Sequence, residues 1–500
     1  MIEVIIDEQP IQVEEGTTIL EAAGKLGIAI PTLCHHRALE PYGACRLCTV
    51  EITQGGRTRL VTSCNYPIRQ EMQVQTASPR VLAGRKMLAE LLLARCANAP
   101  EIRDFAASLG VTKTRFRPQD ELCYLCGLCV RVCSELIGQS AISFVGRGGD
   151  REVGPPFLRF SDDCIACGAC AFVCPTGAIK LEDITDKEPR PLLLEFDMGL
   201  ATRGNIFIPF PQAVPKVPVI DREHCLHFTL GRCGVCELTC EAQAIDYNQQ
   251  DEFIDVEADA IIIATGFDPF DPSEMPEYGY GQYPQVMTGL EFERLVSASG
   301  PTSGKVTLNG REPKEVVFIQ CVGSRDAQHG HAYCSRVCCM YTAKQAHLVC
   351  EKLPDASVTI FYMDIRAFGK GFEEFYDRVR RDGVVYRRGN PSEIIRRGDK
   401  LIVRAEDTLL GEPVEVEADL VVLAIGLQPR ADTAQVADLF GLTLSGDGFF
   451  QESHPKLRPV DTATEGVFLA GCCQGPKDIP DTVAQAKAAA AAAMIRLATR

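Results

Sequence analysis

Five hundred residues exceed a single hydrophobic core, so three or four domains are expected, and a 46% hydrophobic fraction leaves ample material to fill them. A formal net charge of -16 argues against nucleic acid as a partner, because phosphate backbones are met by basic stripes. Twenty-four cysteines behind a start that carries Glu3, Asp7 and Glu8, and no signal-peptide pattern, point to reduced thiols in a cytoplasmic setting rather than to a disulfide scaffold. No apolar run reaches the ~20 residues that span a bilayer, and the alanine-rich stretch at 484–498 reads as a packed helix.

Residues 2–6 and 10–14 alternate around a short turn and predict a β-hairpin, followed by a helix capped at Thr17. Then come Cys34, Cys45, Cys48 and Cys64, spaced C-x10-C-x2-C-x15-C. Gly43 and small neighbours in the loop 41–48 let backbone amides approach the sulfurs. This spacing is close to the plant-type arrangement for a [2Fe-2S] cluster, with a longer first gap. Through Cys-Arg-Leu-Cys-Thr-Val-Glu at 45–51 it resembles the first domain of the large iron–sulfur subunit of complex I and of related formate dehydrogenases and iron hydrogenases. The resemblance implies a plant-type ferredoxin, β-grasp domain over 1–79. His35 and His36 read as neighbours of a ligand rather than ligands. Residues 80–115 form a helical connector in which Cys96 stands alone, too few for the further cluster that follows in those relatives.

Residues 116–186 carry Cys123, Cys126, Cys129 and Cys133, then Cys164, Cys167, Cys170 and Cys174, each run spaced C-x2-C-x2-C-x3-C. Three thiolates in C-x2-C-x2-C wrap one side of a [4Fe-4S] cubane, and in two-cluster ferredoxins the fourth cysteine serves the other cluster. Cys133 is therefore expected to close the second site and Cys174 the first. Zinc also accepts C-x2-C pairs but does not explain three-plus-one runs. Cys-Val-Arg-Val-Cys at 129–133 and the stretch 163–179 match the bacterial-type ferredoxin module of the same families. A third group, Cys225, Cys233, Cys236 and Cys240, is less regular, and Glu241 stands where proline often follows. It could hold a [4Fe-4S] cluster alone or share ligands with the Cys164 group. It sits in a segment, 187–255, whose first part is proline-rich and reads as a linker laid on a surface.

From 256 to 500 the composition changes to that of an α/β body. Two apolar stretches echo each other, at 256–267 and 416–427, each read as a buried parallel strand ending in small residues, and a third strand is expected at 466–471. Flavoproteins with two nested dinucleotide-binding domains close each domain this way. Yet no G-x-G-x-x-G phosphate loop follows any strand. The first domain lacks its opening βαβ unit, and in the second, at about 310–430, the strand at 316–320 is followed by cysteines. Those are Cys321, Cys334, Cys338 and Cys339, and adjacent Cys338 and Cys339 cannot share one side of a helix unless a ligand gathers them. A solvated face accounts for the arginines between Arg378 and Arg397.

The matching stretches from 205 to 498 are long: Ile-Pro-Phe-Pro-Gln-Ala-Val-Pro, Ala-Thr-Gly-Phe-Asp-Pro-Phe-Asp, Gln-Cys-Val-Gly-Ser-Arg-Asp, Tyr-Cys-Ser-Arg-Val-Cys-Cys-Met-Tyr and Ala-Gly-Cys-Cys-Gln-Gly-Pro-Lys-Asp-Ile-Pro-Asp-Thr. By these the region resembles the A-type, flavin-carrying subunit of heterodisulfide reductase. The resemblance implies a multidomain α/β chain, with an incomplete, thioredoxin-reductase-like flavoprotein body. It implies one [2Fe-2S] cluster, about four [4Fe-4S] clusters, and FAD completed by another chain, with Gly471, Lys477, Asp478 and Thr482 at the flavin. It also implies an electron-transfer subunit in a hetero-oligomer, placed between a dehydrogenase or hydrogenase and a heterodisulfide-reductase-like partner. The alternatives are a self-contained NAD(P)H-dependent FAD iron–sulfur oxidoreductase and a redox sensor.

Overall fold

The computed structural model describes residues 1–240 and 242–498; Glu241, Thr499 and Arg500 lie outside the described residues. The chain divides into two compact units, one made of 1–191, 205–207 and 218–251, the other of 192–204, 208–217 and 252–500. The proline-rich segment thus contributes to both.

The first unit opens with a β-grasp sheet. Strands Ile2–Ile6 and Gln9–Val13 form an antiparallel hairpin, Met72–Gln75 joins Ile2–Ile6 in parallel, and Thr49–Gln54 and Arg57–Thr62 complete five strands. Val4, Ile6, Val50, Ile52 and Val74, at alternate positions, bury one face against Ile19, Ala22 and Ala23 of the helix Ile19–Lys25. That helix is capped by Thr18, not Thr17. The Thr18 hydroxyl accepts from Glu21 N, and the Glu21 carboxylate reaches back to Thr18 N, a reciprocal box that Thr17 lacks.

Helices Pro79–Arg95 and Pro100–Ser108 follow, each with proline in its first turn. Beyond them regular structure is scarce. Helices Leu128–Arg131 and Ala169–Phe172 are four residues each, and the local core consists of Cys129, Cys164 and Cys170 with Ala141, Ile142 and Ile184.

The second unit is built on a five-stranded parallel sheet. Its spatial order is Val286–Thr288, Leu420–Ile425, Glu315–Val322, Ser357–Tyr362, Val385–Arg388. All six residues of Leu420–Ile425 are buried, as a central parallel strand covered on both faces requires. Val317, Ile319, Val421 and Leu423 face a three-stranded antiparallel sheet of Glu393–Arg397, Lys400–Asp407 and Glu412–Ala418. Val316, Phe318, Leu420 and Val422 face Phe292, Ala343, Ala346, Val349 and Val379 of three helices, Gly289–Val296, Cys338–Lys352 and Phe372–Arg381.

The stretch read as one strand from 416 is therefore two. An antiparallel strand ends at Ala418, and the Asp419 carboxylate accepts from Lys314 N at 2.9 Å and Glu315 N at 3.1 Å before the parallel strand begins. The stretch at 256–267 is shorter still, a strand only at Ile261–Ile263. Among the described residues it pairs only with Val467–Leu469, and Ile262 is left 42% exposed. No further strand flanks it among the described residues. The helix Ile479–Ala498 packs Ala489 and Ala493 with Phe468 and Ala470.

Candidate iron–sulfur and flavin sites

Cys34, Cys48 and Cys64 are buried and Cys45 half-buried. Cys48 Sγ and Cys64 Sγ lie 3.3 Å apart, and Cys45 N donates to Cys34 Sγ at 3.3 Å. The Cys34 thiol hydrogen-bonds Cys45 and holds its thiol down at about 5; Cys64 does the same for Cys48, held at about 7. Two close pairs, Cys34 with Cys45 and Cys48 with Cys64, suit two irons with two thiolates each. Gly43 makes the loop possible: its φ is +68°, and a Cβ there would come within 2.7 Å of the Asn65 amide.

In the ferredoxin segment the structure brings the cysteines together in crossed sets. Cys123, Cys126, Cys129 and Cys174 line one cavity, and Cys133, Cys164, Cys167 and Cys170 line another. Burial pushes the Cys129 thiol of the first set up to about 12 and the Cys170 thiol of the second up to about 11, so a cationic centre within each set is what would favour its thiolates. Backbone amides point the same way: Ala141 N donates to Cys133 Sγ at 3.3 Å and Ala166 N to Cys164 Sγ at 3.4 Å.

Leu125 and Ala166, the residues just before the second cysteines of the two runs, have φ of 58° and 54°, although neither is glycine. Left-handed residues alternating with right-handed ones turn successive N–H groups into a concave anion cradle. The same device appears at Arg46, φ 59°, and at Arg336, φ 62°, which precede the Cys48 and Cys338 ends of their loops.

In the third group, burial first and then the nearby Cys236, Cys225 and Cys233 raise the Tyr247 phenol above its usual value, its hydroxyl lying 2.7 Å from Cys236 Sγ. Ala244 N donates to Cys240 Sγ at 3.4 Å, and the Tyr247 ring stacks on His227 with centroids 3.7 Å apart.

Cys321 is the last residue but one of the central strand, with φ 61°, and Cys338 and Cys339 begin the central helix. Burial pushes Cys321 up to about 12 and raises Cys338 and Cys339, with neighbouring thiols of the same four adding to each rise. Arg336 N donates to Cys334 Sγ at 3.3 Å and Arg366 N to Cys339 Sγ at 3.5 Å. Among the described residues no set of three or more His, Cys, Asp or Glu gathers around a single ion.

Beside this group lies a cavity of about 490 Å³, within the range of small-molecule sites. Phe267, Leu290, Phe368 and Phe372 give it apolar walls; Arg336, Gln345, Lys477 and the Glu293–Lys344 ion pair give it polar ones. Gln345 donates to Gly289 O at 2.8 Å, while its Oε1 is buried without a partner, an acceptor free for a ligand N–H. Burial pulls the Lys477 amine below its usual value.

Asp478 also lines the cavity, but its carboxylate accepts from Asp481 N at 2.8 Å and so caps the last helix. Gly471 and Thr482 lie away from these walls: Gly471 N donates to Gln485 Oε1 at 2.8 Å, and a Cβ at Gly471 would meet the Thr482 methyl at 3.5 Å. Sequence reasoning missed Arg336, Glu293, Lys344 and Gln345. Of these only Arg336 carried a signal, since it lies inside the Tyr-Cys-Ser-Arg-Val-Cys-Cys stretch.

Comparison with known proteins gives three family matches. Residues 1–79 match the 2Fe-2S iron-sulfur cluster binding domain, residues 122–178 and 163–244 the 4Fe-4S dicluster domain, and residues 216–493 the pyridine nucleotide-disulphide oxidoreductase family. The second dicluster match spans both the Cys164 and the Cys225 groups.

Over 343 residues the chain is 51% identical to the A-type subunit of the H2:CoB-CoM heterodisulfide, ferredoxin reductase of Methanothermobacter thermautotrophicus, covering 67% of this chain and 49% of that protein. Over 347 residues it is 51% identical to the A-type iron-sulfur subunit of the CoB–CoM heterodisulfide reductase of Methanocaldococcus jannaschii, covering 68% and 50%. The chain thus spans about half the length of the curated relatives it matches. A chain of an NAD+-reducing [NiFe]-hydrogenase aligns at 28% identity over 38% of this chain and 90% of its own, with a TM-score of 0.32.

Proposed function

We propose that this chain, which belongs to the pyridine nucleotide-disulphide oxidoreductase family through residues 216–493, is an iron–sulfur electron-transfer subunit of a heterodisulfide-reductase-like complex. The observation that carries the reading is the position of the Cys321, Cys334, Cys338 and Cys339 group. It occupies the start of a βαβ unit, where a nucleotide-binding relative has its phosphate loop, and it adjoins the cavity at Lys477.

The 20 cysteines of the five groups hold one [2Fe-2S] and four [4Fe-4S] clusters, and the clusters supply one-electron steps. The protein's own residues do the rest. N–H donors to sulfur and burial tune each potential. Phe267 and Phe368 would give the flavin ring apolar walls, and Lys477 and Arg336 would offer it positive charge when reduced.

FAD is held across a subunit boundary, because no glycine-rich pyrophosphate loop follows the strands of this chain. The same absence weighs against a self-contained NAD(P)H oxidoreductase. Electrons enter or leave through partners of the dehydrogenase or hydrogenase type and of the heterodisulfide reductase type. Among the described residues no helix is long and apolar enough to cross a membrane.

Anaerobic affinity purification from the native host, with every bound protein and flavin identified, tests the reading. Stoichiometric redox subunits, with FAD kept by the complex and lost by the isolated chain, are expected. NAD(P)H oxidation by the isolated chain with tightly bound FAD overturns it.

A further inference from the structure

We infer that two buried arginines, Arg85 and Arg131, form a cationic brace around the [2Fe-2S] site and hold its reduction potential above what its thiolates alone would give. The inference rests on the cofactor reading of Cys34, Cys45, Cys48 and Cys64.

Arg85 and Arg131 are the two arginines buried among the described residues, at 6% and 8% exposure. They lie far apart in sequence, yet both turn their guanidinium groups on the same cysteine loops. Arg85 Nε donates to Leu47 O and its Nη2 to Thr49 O, both at 2.9 Å, gripping the backbone on either side of Cys48. Arg131 Nη2 donates to Cys34 O at 2.7 Å and its Nη1 to Glu40 O, while its Nε is buried without a partner. The Tyr42 ring covers the Arg131 guanidinium at 5.2 Å.

Neither cation has a carboxylate at ion-pair distance among the described residues. Asp7, whose charge reaches Arg85, spends its carboxylate on the Thr76 backbone N–H and hydroxyl. The other charged residues buried among the described ones behave differently. Buried Asp197 is paired with Arg294 at 2.7 Å and buried Asp407 with Arg387 at 3.3 Å.

A guanidinium taken out of water without an anion is strongly unfavourable, and carbonyl dipoles offset only part of the cost. The anion that balances both is the cluster. Four thiolates and two sulfides outweigh two ferric ions, and reduction adds one more negative charge. A fixed cation at low dielectric therefore stabilises the reduced state more than the oxidised one and raises the potential. Arg131 has a second consequence through its position. It lies between Cys129 and Cys133 of the ferredoxin runs, and with Tyr124, whose hydroxyl donates to Leu33 O at 3.3 Å, it fastens the Cys34 loop to the ferredoxin segment.

The test is an EPR-monitored potentiometric titration of the [2Fe-2S] signal in the full chain, purified anaerobically. Arg85→Gln and Arg131→Gln should each shift the midpoint to lower potential, while Arg85→Lys and Arg131→Lys, which keep the charge, stay closer to the parent. Gln variants with an intact signal and an unmoved midpoint overturn the inference. If the Gln variants fail to load the cluster, the Lys variants decide. Loading by Lys alone supports a requirement for charge; failure of both means that the arginines act only as hydrogen-bond braces, which overturns it. Absence of a [2Fe-2S] signal in the parent instead removes the cofactor reading itself.

Discussion

The ferredoxin segment and the parallel-sheet body of this chain solve the same problem of stability by opposite means. In the body, alternate residues of Glu315–Val322 and Leu420–Ile425 bury two separate apolar layers, so strands and helices hold one another without help from a cofactor. In the ferredoxin segment the helices are four residues long and half of the buried core residues are thiols. Helices that short are not stable by themselves. There the cluster is part of the core; in the body the Cys321 group is set onto a core already complete. Metal should accordingly decide whether the first region folds and only what the second region does.

The largest expected effect follows from that contrast. Anaerobic removal of iron should unfold residues 116–186 while the sheet of 315–425 persists. Hydrogen exchange followed by mass spectrometry reads both regions at once, and equal loss of protection in the two would break the comparison.

A smaller effect is expected from Cys338→Ser. It should remove about four of about eighteen irons, yet leave the body's exchange protection and the EPR signals of the other clusters in place. Unfolding of the body on this substitution would mean that its cluster is structural after all.

Packing supplies the next test. Phe318, fully buried in the layer facing the helices, should cost about 3–5 kcal/mol when replaced by alanine, measured by denaturant unfolding of the body while the [2Fe-2S] spectrum is unchanged. At the small end, Thr288→Ala removes the hydroxyl that accepts from Glu291 N in a capping box and should cost about 1 kcal/mol in the same assay.

The sequence was most informative where chemistry dictates spacing. A cubane constrains its cysteines so tightly that the runs at 123–133 and 164–174 could be assigned crossed ligands, and the structure places Cys174 and Cys133 in those cavities. It was least informative where distant segments meet. Nothing near Arg85 or Arg131 announces that each reaches a cysteine loop, because those contacts span 36 to 97 residues. Glu293 and Lys344 belong to different helices and share a cavity only once those helices pack on the sheet.

Strand limits failed for a related reason. The stretch at 256–267 has the composition of a buried strand, but with one partner strand it pairs over three residues only. The cap at Thr18 rather than Thr17 was a local matter, decided by which hydroxyl stands three residues before Glu21. Asp478, read as a flavin contact, lines the cavity while its carboxylate also caps the helix that follows it.

The central claim is that all five cysteine groups hold clusters, in the body as well as in the ferredoxin segment. Anaerobic iron and acid-labile sulfide analysis of the fully loaded chain tests it most directly. About eighteen irons per chain, with sulfide to match, is the predicted result. A count near ten, leaving the Cys225 and Cys321 groups empty, or retained zinc without sulfide, would contradict it.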